Sequence, residues 1–135
     1  MTKLYKISLS ILIVLLPFHS FPVSVQEDIN KQIVAALTAG NATTLSDYFN
    51  SMVDLGISGN EDSYSKTQAT QILKDFFVKN PVKSVKITQS GTSTDGSQFS
   101  IGEMQAGTGT FRIYYLLKKV SGKFLIQQLQ IQKVN

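Results

Sequence analysis

FRIYYLLKKVSGKFLIQQLQIQKV, residues Phe111 to Val134, is the most apolar stretch of the chain beyond its N-terminal leader, and it reads as two long strands joined by a tight turn at Val120, Ser121 and Gly122. Which side chains it buries depends on the turn, because a slip of one residue exchanges the two faces of a strand. With Ser121 and Gly122 as a two-residue loop, Val120 pairs with Lys123, and Leu125, Leu129 and Ile131 share a face with Arg112, Tyr114 and Lys118. Neither face is then cleanly apolar. With a three-residue loop, in which Gly122 takes the left-handed conformation glycine tolerates, Lys119 pairs with Lys123. Phe111, Ile113, Tyr115 and Leu117 then face the same way as Leu125, Leu129 and Ile131, with Arg112, Lys118, Gln128, Gln130 and Gln132 opposite. This second register is the expected one. It sets Gln127 among apolar neighbours directly across from Tyr115, and it turns Leu116, Phe124 and Ile126 away from the rest of the core.

Upstream, the period of the apolar residues changes twice. Ile29, Ile33, Ala36 and Leu37 follow helical spacing in a segment from Glu27 to Ala39, with acidic residues at its start and Gly40 as its stop. A shorter helix is expected from Thr44 to Phe49, then a short strand over Met52 to Ile57 turning into a second near Asp62 to Ser65. Ser65 and Gln68 form a capping box, and Ala69, Ile72, Leu73, Phe76 and Phe77 make one broad apolar stripe that Asn80 and Pro81 end. Beyond it the period falls to two. Val85 and Ile87 alternate in one strand, Gly91 to Gly96 is a turn, and Phe99 and Ile101 alternate in the next strand. The order helix, helix, strand, strand, helix and four strands predicts an α+β fold: three helices in the N-terminal half packed on a strongly bent, mostly antiparallel sheet of about six strands.

The N-terminus carries Lys3 and Lys6, an apolar run from Ile7 to Leu16, and then Pro17. That is the order of parts in a secretory signal peptide, and the run is about half the ~20 residues a spanning helix requires. Residues 1–25 are therefore expected to be a cleavable leader and 26–135 a single exported domain, periplasmic or extracellular, with no stable membrane span after cleavage. Loss of Lys3 and Lys6 leaves eleven basic against nine acidic side chains, a net charge near +2 that is too slight and too scattered for nucleic acid. There is no cysteine, so the core alone holds the fold.

The element order from Glu27 to Val134 resembles the nuclear-transport-factor-2-like (NTF2-like) superfamily, cystatin-like cones made from a bent sheet folded over an N-terminal helix. Ile101-Gly102-Glu103, Phe111-Arg112 and the ending LIQQLQIQKV are similar to a group of small exported proteins of unknown function within it. The resemblance implies a concave pocket between the sheet and the first and third helices, and often a homodimer through the outer sheet face. It implies no activity, because this fold carries isomerases, dehydratases, binding modules and structural subunits alike.

The only histidine, His19, lies in the leader, so the expected mature chain has neither imidazole nor thiol for a nucleophile system or a zinc site. No cofactor or metal is expected. Glu103 has two placements: strand alternation brings it inward beside Phe99 and Ile101, whereas a bulge after Gly102 turns Met104 inward and leaves Glu103 in solvent. Three readings follow. The first is a non-catalytic module whose mainly apolar pocket binds a small molecule or a partner protein, with Tyr115, Gln127 and Glu103 as polar contacts. The second is a histidine-free acid/base enzyme of isomerase or dehydratase type on a small carbonyl compound, with Glu103 as base and Tyr115 as proton donor. The third is a homodimer joined through Leu116, Phe124 and Ile126. The first is favoured, because the second demands a carboxylate held in a dry pocket.

Overall fold

The computed structural model describes residues 25–135, with side-chain surroundings from Ile29 onward. The leader expected at the N-terminus lies outside the described residues save Val25, as does His19. The elements are α1 (Val25–Thr38), α2 (Ala42–Ser46), β1 (Phe49–Ile57), β2 (Asn60–Ser65), α3 (Lys66–Lys79), β3 (Val82–Thr92), β4 (Gln98–Ala106), β5 (Gly109–Val120) and β6 (Lys123–Lys133). The strands form one six-stranded sheet in the order β2-β1-β6-β5-β4-β3. Every pairing is antiparallel except that of β1 with β6. The architecture is the α+β arrangement the sequence predicts, helices over a curved open sheet.

Local chemistry sets the helix ends. Ser65 caps α3 by accepting from Gln68 N, while Gln68 reaches back to the Ser65 backbone. Asn41 caps α2 by accepting from Thr44 N. The helix expected over Thr44 to Phe49 ends instead at Ser46, because Phe49 is drawn into β1, where it lies beside Ile126. The core lies between the helices and the concave face, with Ile33 and Leu37 of α1, Leu73 and Phe77 of α3, and Ile113 and Leu129 of the sheet. Phe76 meets Phe111 edge to face at 5.2 Å between ring centroids, fastening α3 to β5.

The β5–β6 register corrects the expected one. Val120 pairs with Lys123, so the loop has two residues, with Ser121 at φ 49° and Gly122 at φ 82°. Farther along, Leu117 pairs with Ile126 but Leu116 with Gln128, leaving Gln127 as the extra residue of a bulge. The bulge reverses the parity set by the turn. Phe111, Ile113 and Tyr115 therefore do face the core together with Leu129 and Ile131, but two positions out of the expected pairing. Tyr115 lies across from Leu129, not Gln127. Between turn and bulge the parity is the other one, so Ile126 is fully buried and Phe124 packs against the core, contrary to their expected outward placement.

On β4 the faces are also inverted. Ser100, Gly102, Met104 and Ala106 are the buried set, and Phe99, Ile101 and Glu103 share the outer face. No side chain fits at position 102, where a Cβ would collide with Lys86 O and lie 3.1 Å from Ile87 Cα. Across from it, β3 carries an extra residue between Ile87 and Gln89, so the glycine admits the close approach of β3 and the bulge bends that strand.

Candidate functional site

Among the described residues, three places combine polar groups with apolar surroundings. The first is a hydrogen-bonded cluster beneath α1. Asn30 stands three residues before Ile33 and seven before Leu37, on the face α1 turns to the sheet. Its Oδ1 accepts from the Tyr115 hydroxyl at 2.9 Å and from Ser100 Oγ at 3.5 Å, and Ser100 in turn meets Ser90 Oγ at 3.1 Å. The cluster ties α1 to β5, β4 and β3. Burial pushes the Tyr115 hydroxyl above its ordinary pKa, with the neighbouring Ser100 hydroxyl acting in the opposite sense. A tyrosine with no exposed surface and a hydrogen-bonded hydroxyl is a structural anchor.

The second is a cleft of about 330 Å³ between α3 and the β1–β2 hairpin. Leu55, Ile57, Tyr64, Ile72 and Phe76 form its walls, and Asn60, Asp75, Lys79 and Asn80 form its rim. The helical stripe of α3 positions it: Leu73 and Phe77 go into the core, while Ile72 is half-exposed at the side and meets the hairpin. Asn80 is held by its Nδ2 donating to Phe76 O at 3.1 Å. The Tyr64 hydroxyl makes no hydrogen bond to another described residue. The third, also about 330 Å³, lies at the β5–β6 turn, where Phe124 and Leu125 face Ile29, Gln32 and Tyr48. Lys119 Nζ lies 5.8 Å from the Phe124 ring centroid, and Tyr48 donates to Gln32 Oε1 at 2.9 Å.

The residues singled out from sequence fall in separate places. Tyr115 is in the buried cluster, Gln127 accepts from Asn50 Nδ2 at 3.0 Å at the bulge, and Glu103 is exposed on the outer face between Lys86 and Arg112. None of the three lines the clefts above. Glu103 and Tyr115 stand on opposite faces of the sheet, so the base and proton donor of the enzyme reading do not come together. Of the expected interface residues, only Leu116 is on the outer face. There the strands set three rows, Phe99–Leu116–Gln128, Ile101–Tyr114–Gln130 and Glu103–Arg112–Gln132. Gln128 and Gln130 donate to the two oxygens of Glu61 at 3.2 and 3.1 Å. Among the described residues no three His, Cys, Asp or Glu side chains are grouped to hold a metal ion, and no helix is long and apolar enough to cross a membrane.

The model of the DUF4783 family, a domain of unknown function, matches residues 30–132. No curated protein matches the chain significantly. Among solved structures, a DUF4783 family protein of Bacteroides ovatus is 34% identical, over 77% of this chain and 94% of that one, with a TM-score of 0.73. One from Bacteroides uniformis is 29% identical, over 79% and 98%, with a TM-score of 0.75. An NTF2-like protein of Cytophaga hutchinsonii shares the fold at 12% identity, over 82% and 96%, with a TM-score of 0.60.

Proposed function

The chain belongs to the DUF4783 family of domains of unknown function, and from that premise we propose that it is an exported, non-catalytic binding module whose cleft between α3 and the β1–β2 hairpin takes a small amphipathic molecule. One observation carries the reading: apolar walls that include the Tyr64 ring converge on about 330 Å³ while two amides, a carboxylate and an amine stand at the rim. That is the composition of a small-molecule site, in which burial of an apolar body gives affinity and a few polar groups give orientation. The leader order of residues 1–25, with the one domain that follows it, supports export. Native mass spectrometry of the protein purified from its own host tests the proposal. Wild type is expected to carry a small molecule that an Ile72→Lys variant with an unchanged circular dichroism spectrum loses; ligand-free wild type, or equal retention by the variant, defeats it.

A second reading, assembly of two copies through the outer sheet face, is favoured by the half-buried row partners Phe99, Ile101, Tyr114 and Leu116, an apolar centre bordered by glutamines and charges. Sedimentation tests it. A wild-type dimer that Ile101→Lys converts to monomer supports it, and a monomer at high concentration removes it.

A further inference from the structure

The two edges of the sheet are finished differently, and the difference points to a second site. At the β2 edge, the two-residue turn at Ser58 and Gly59 makes Ile57 and Asn60 the closing hydrogen-bonded pair. Alternation along the ladder then aims the backbone of Glu61, Ser63 and Ser65 away from β1. Two of those three N–H groups are occupied by side chains: Ser63 N donates to Asp62 Oδ1 at 2.8 Å and Ser65 N to Gln68 Oε1 at 3.3 Å. This edge is largely closed by its own residues.

β3, the opposite edge, has eleven residues, and no side chain among the described residues accepts from any of its N–H groups. α1 runs beside it in the reverse direction: Asn30 is linked through Ser100 to Ser90, Val34 and Ala35 stand against Ile87, and Gly40 lies near Val82. Between them is an open groove of about 440 Å³ lined by Asn30, Lys31, Val34, Ala35 and Ile87, almost wholly apolar in its surface. A free strand edge alongside a helix with an apolar groove between is the arrangement that receives an extended peptide, whose backbone joins the ladder while alternate side chains enter the groove. The lengths agree. The fourteen residues of α1 span roughly 21 Å, as do about six residues of extended chain.

Charge selects the occupant. Beyond Asp28, α1 carries only Lys31, and β3 carries Lys83 and Lys86 with no acid. Pairing two copies edge to edge through β3 would bring four lysines and no β3 acid into one seam, the kind of association charged edges discourage. An acidic strand meets the opposite sign. We infer that the β3 edge and the α1–β3 groove form a docking site for an extended acidic segment of a partner polypeptide, with apolar residues at alternate positions. This site is separate from the α3 cleft and stands or falls independently of it.

The test uses the full chain and two blocked six-residue peptides, one alternating Glu with Val and one alternating Lys with Val, followed by amide NMR and hydrogen exchange. The Glu–Val peptide is expected to shift Val34, Ile87 and the β3 amides saturably, and at ten times its Kd to slow exchange of the free β3 amides about tenfold. Val34→Glu, at a half-exposed helix position, is expected to weaken binding at least tenfold with the remaining spectrum unchanged. Lys83→Glu with Lys86→Glu is expected to reverse the preference toward the Lys–Val peptide. Equal affinity for both peptides, shifts confined to β2 or α3, or no saturable shift would overturn the inference. So would β3 amides already protected without peptide, in a dimer because a second copy covers them or in a monomer because residues 1–24 do.

Discussion

The β2 edge and the β3 edge belong to one sheet, yet only one is sealed. β2 is six residues long, lies at the side of α3, and has two of its three outward N–H groups taken by Asp62 and Gln68. β3 is nearly twice as long, is bent by the extra residue between Ile87 and Gln89, and is backed by Gly102, where no side chain fits. Twist, bulges and lysines discourage indiscriminate pairing at β3, whereas direct hydrogen bonding blocks it at β2. The contrast teaches that an edge can be defended by shape and charge while its backbone stays available.

The largest expected effect is on the bend behind β3. Gly102→Val forces β3 away from β4 and should lower unfolding free energy by about 3 kcal/mol in urea denaturation; a loss below about 1 kcal/mol would mean that β3 yields freely and the edge is not a fixed platform. Next is the tie that holds α1 along β3. Asn30→Ala leaves the buried Tyr115 hydroxyl without its acceptor, with an expected loss of about 1 to 3 kcal/mol, whereas Tyr115→Phe should cost only about 1 kcal/mol. Equal losses in the two variants would show that packing, not the hydrogen bond, matters there. Smaller again, Gln68→Ala removes half of the α3 capping box and frees Ser65 N, at about 1 kcal/mol, with concentration-dependent association expected once Asp62→Ala is added. An uncapped double variant that stays monomeric would break the comparison between the edges. Smallest is an alkaline effect at Tyr115. Its folded pKa is raised, so the contribution is complete below the ordinary tyrosine value near ~10 and disappears as the pH rises through the folded value. Tyr115→Phe should flatten that part of the stability profile, and an unchanged slope would dissociate it from Tyr115.

What was legible in the sequence is what local chemistry determines. The capping box of Ser65 and Gln68 and the stripe from Ala69 to Phe77 specify α3 within fifteen residues, and the alternations give the order of the strands. The β5–β6 faces were half legible. The apolar residues far from the turn do share the concave side, but the turn has two residues and the Gln127 bulge corrects the parity. Nothing within the hairpin announces that bulge, because the Asn50 amide that holds Gln127 comes from 77 positions away. The faces of β4 misled for a different reason. Size suggested Phe99 and Ile101 as the inner residues, whereas the concave side there is crowded by Asn30 and the bend and has room only for serine and glycine beside Met104. Asn30 itself carried a readable sign, a polar residue in helical phase with Ile33 and Leu37, which demands a buried partner.

The single parallel pairing in the sheet bears on the order in which the molecule is assembled. β3 through β6 are successive antiparallel neighbours and close through short turns, but β1 has no place in the sheet until β6 exists. Contacts so distant in sequence close late, since loop-closure entropy must be overcome before they stabilise anything. Pulse-labelled exchange during refolding should therefore protect β4 and β5 before β1 and β2; simultaneous protection would refute that order. A chain arranged this way has no finished helix-and-hairpin wall until its last strand is available, so during synthesis the sheet stays incomplete until almost the whole chain has emerged.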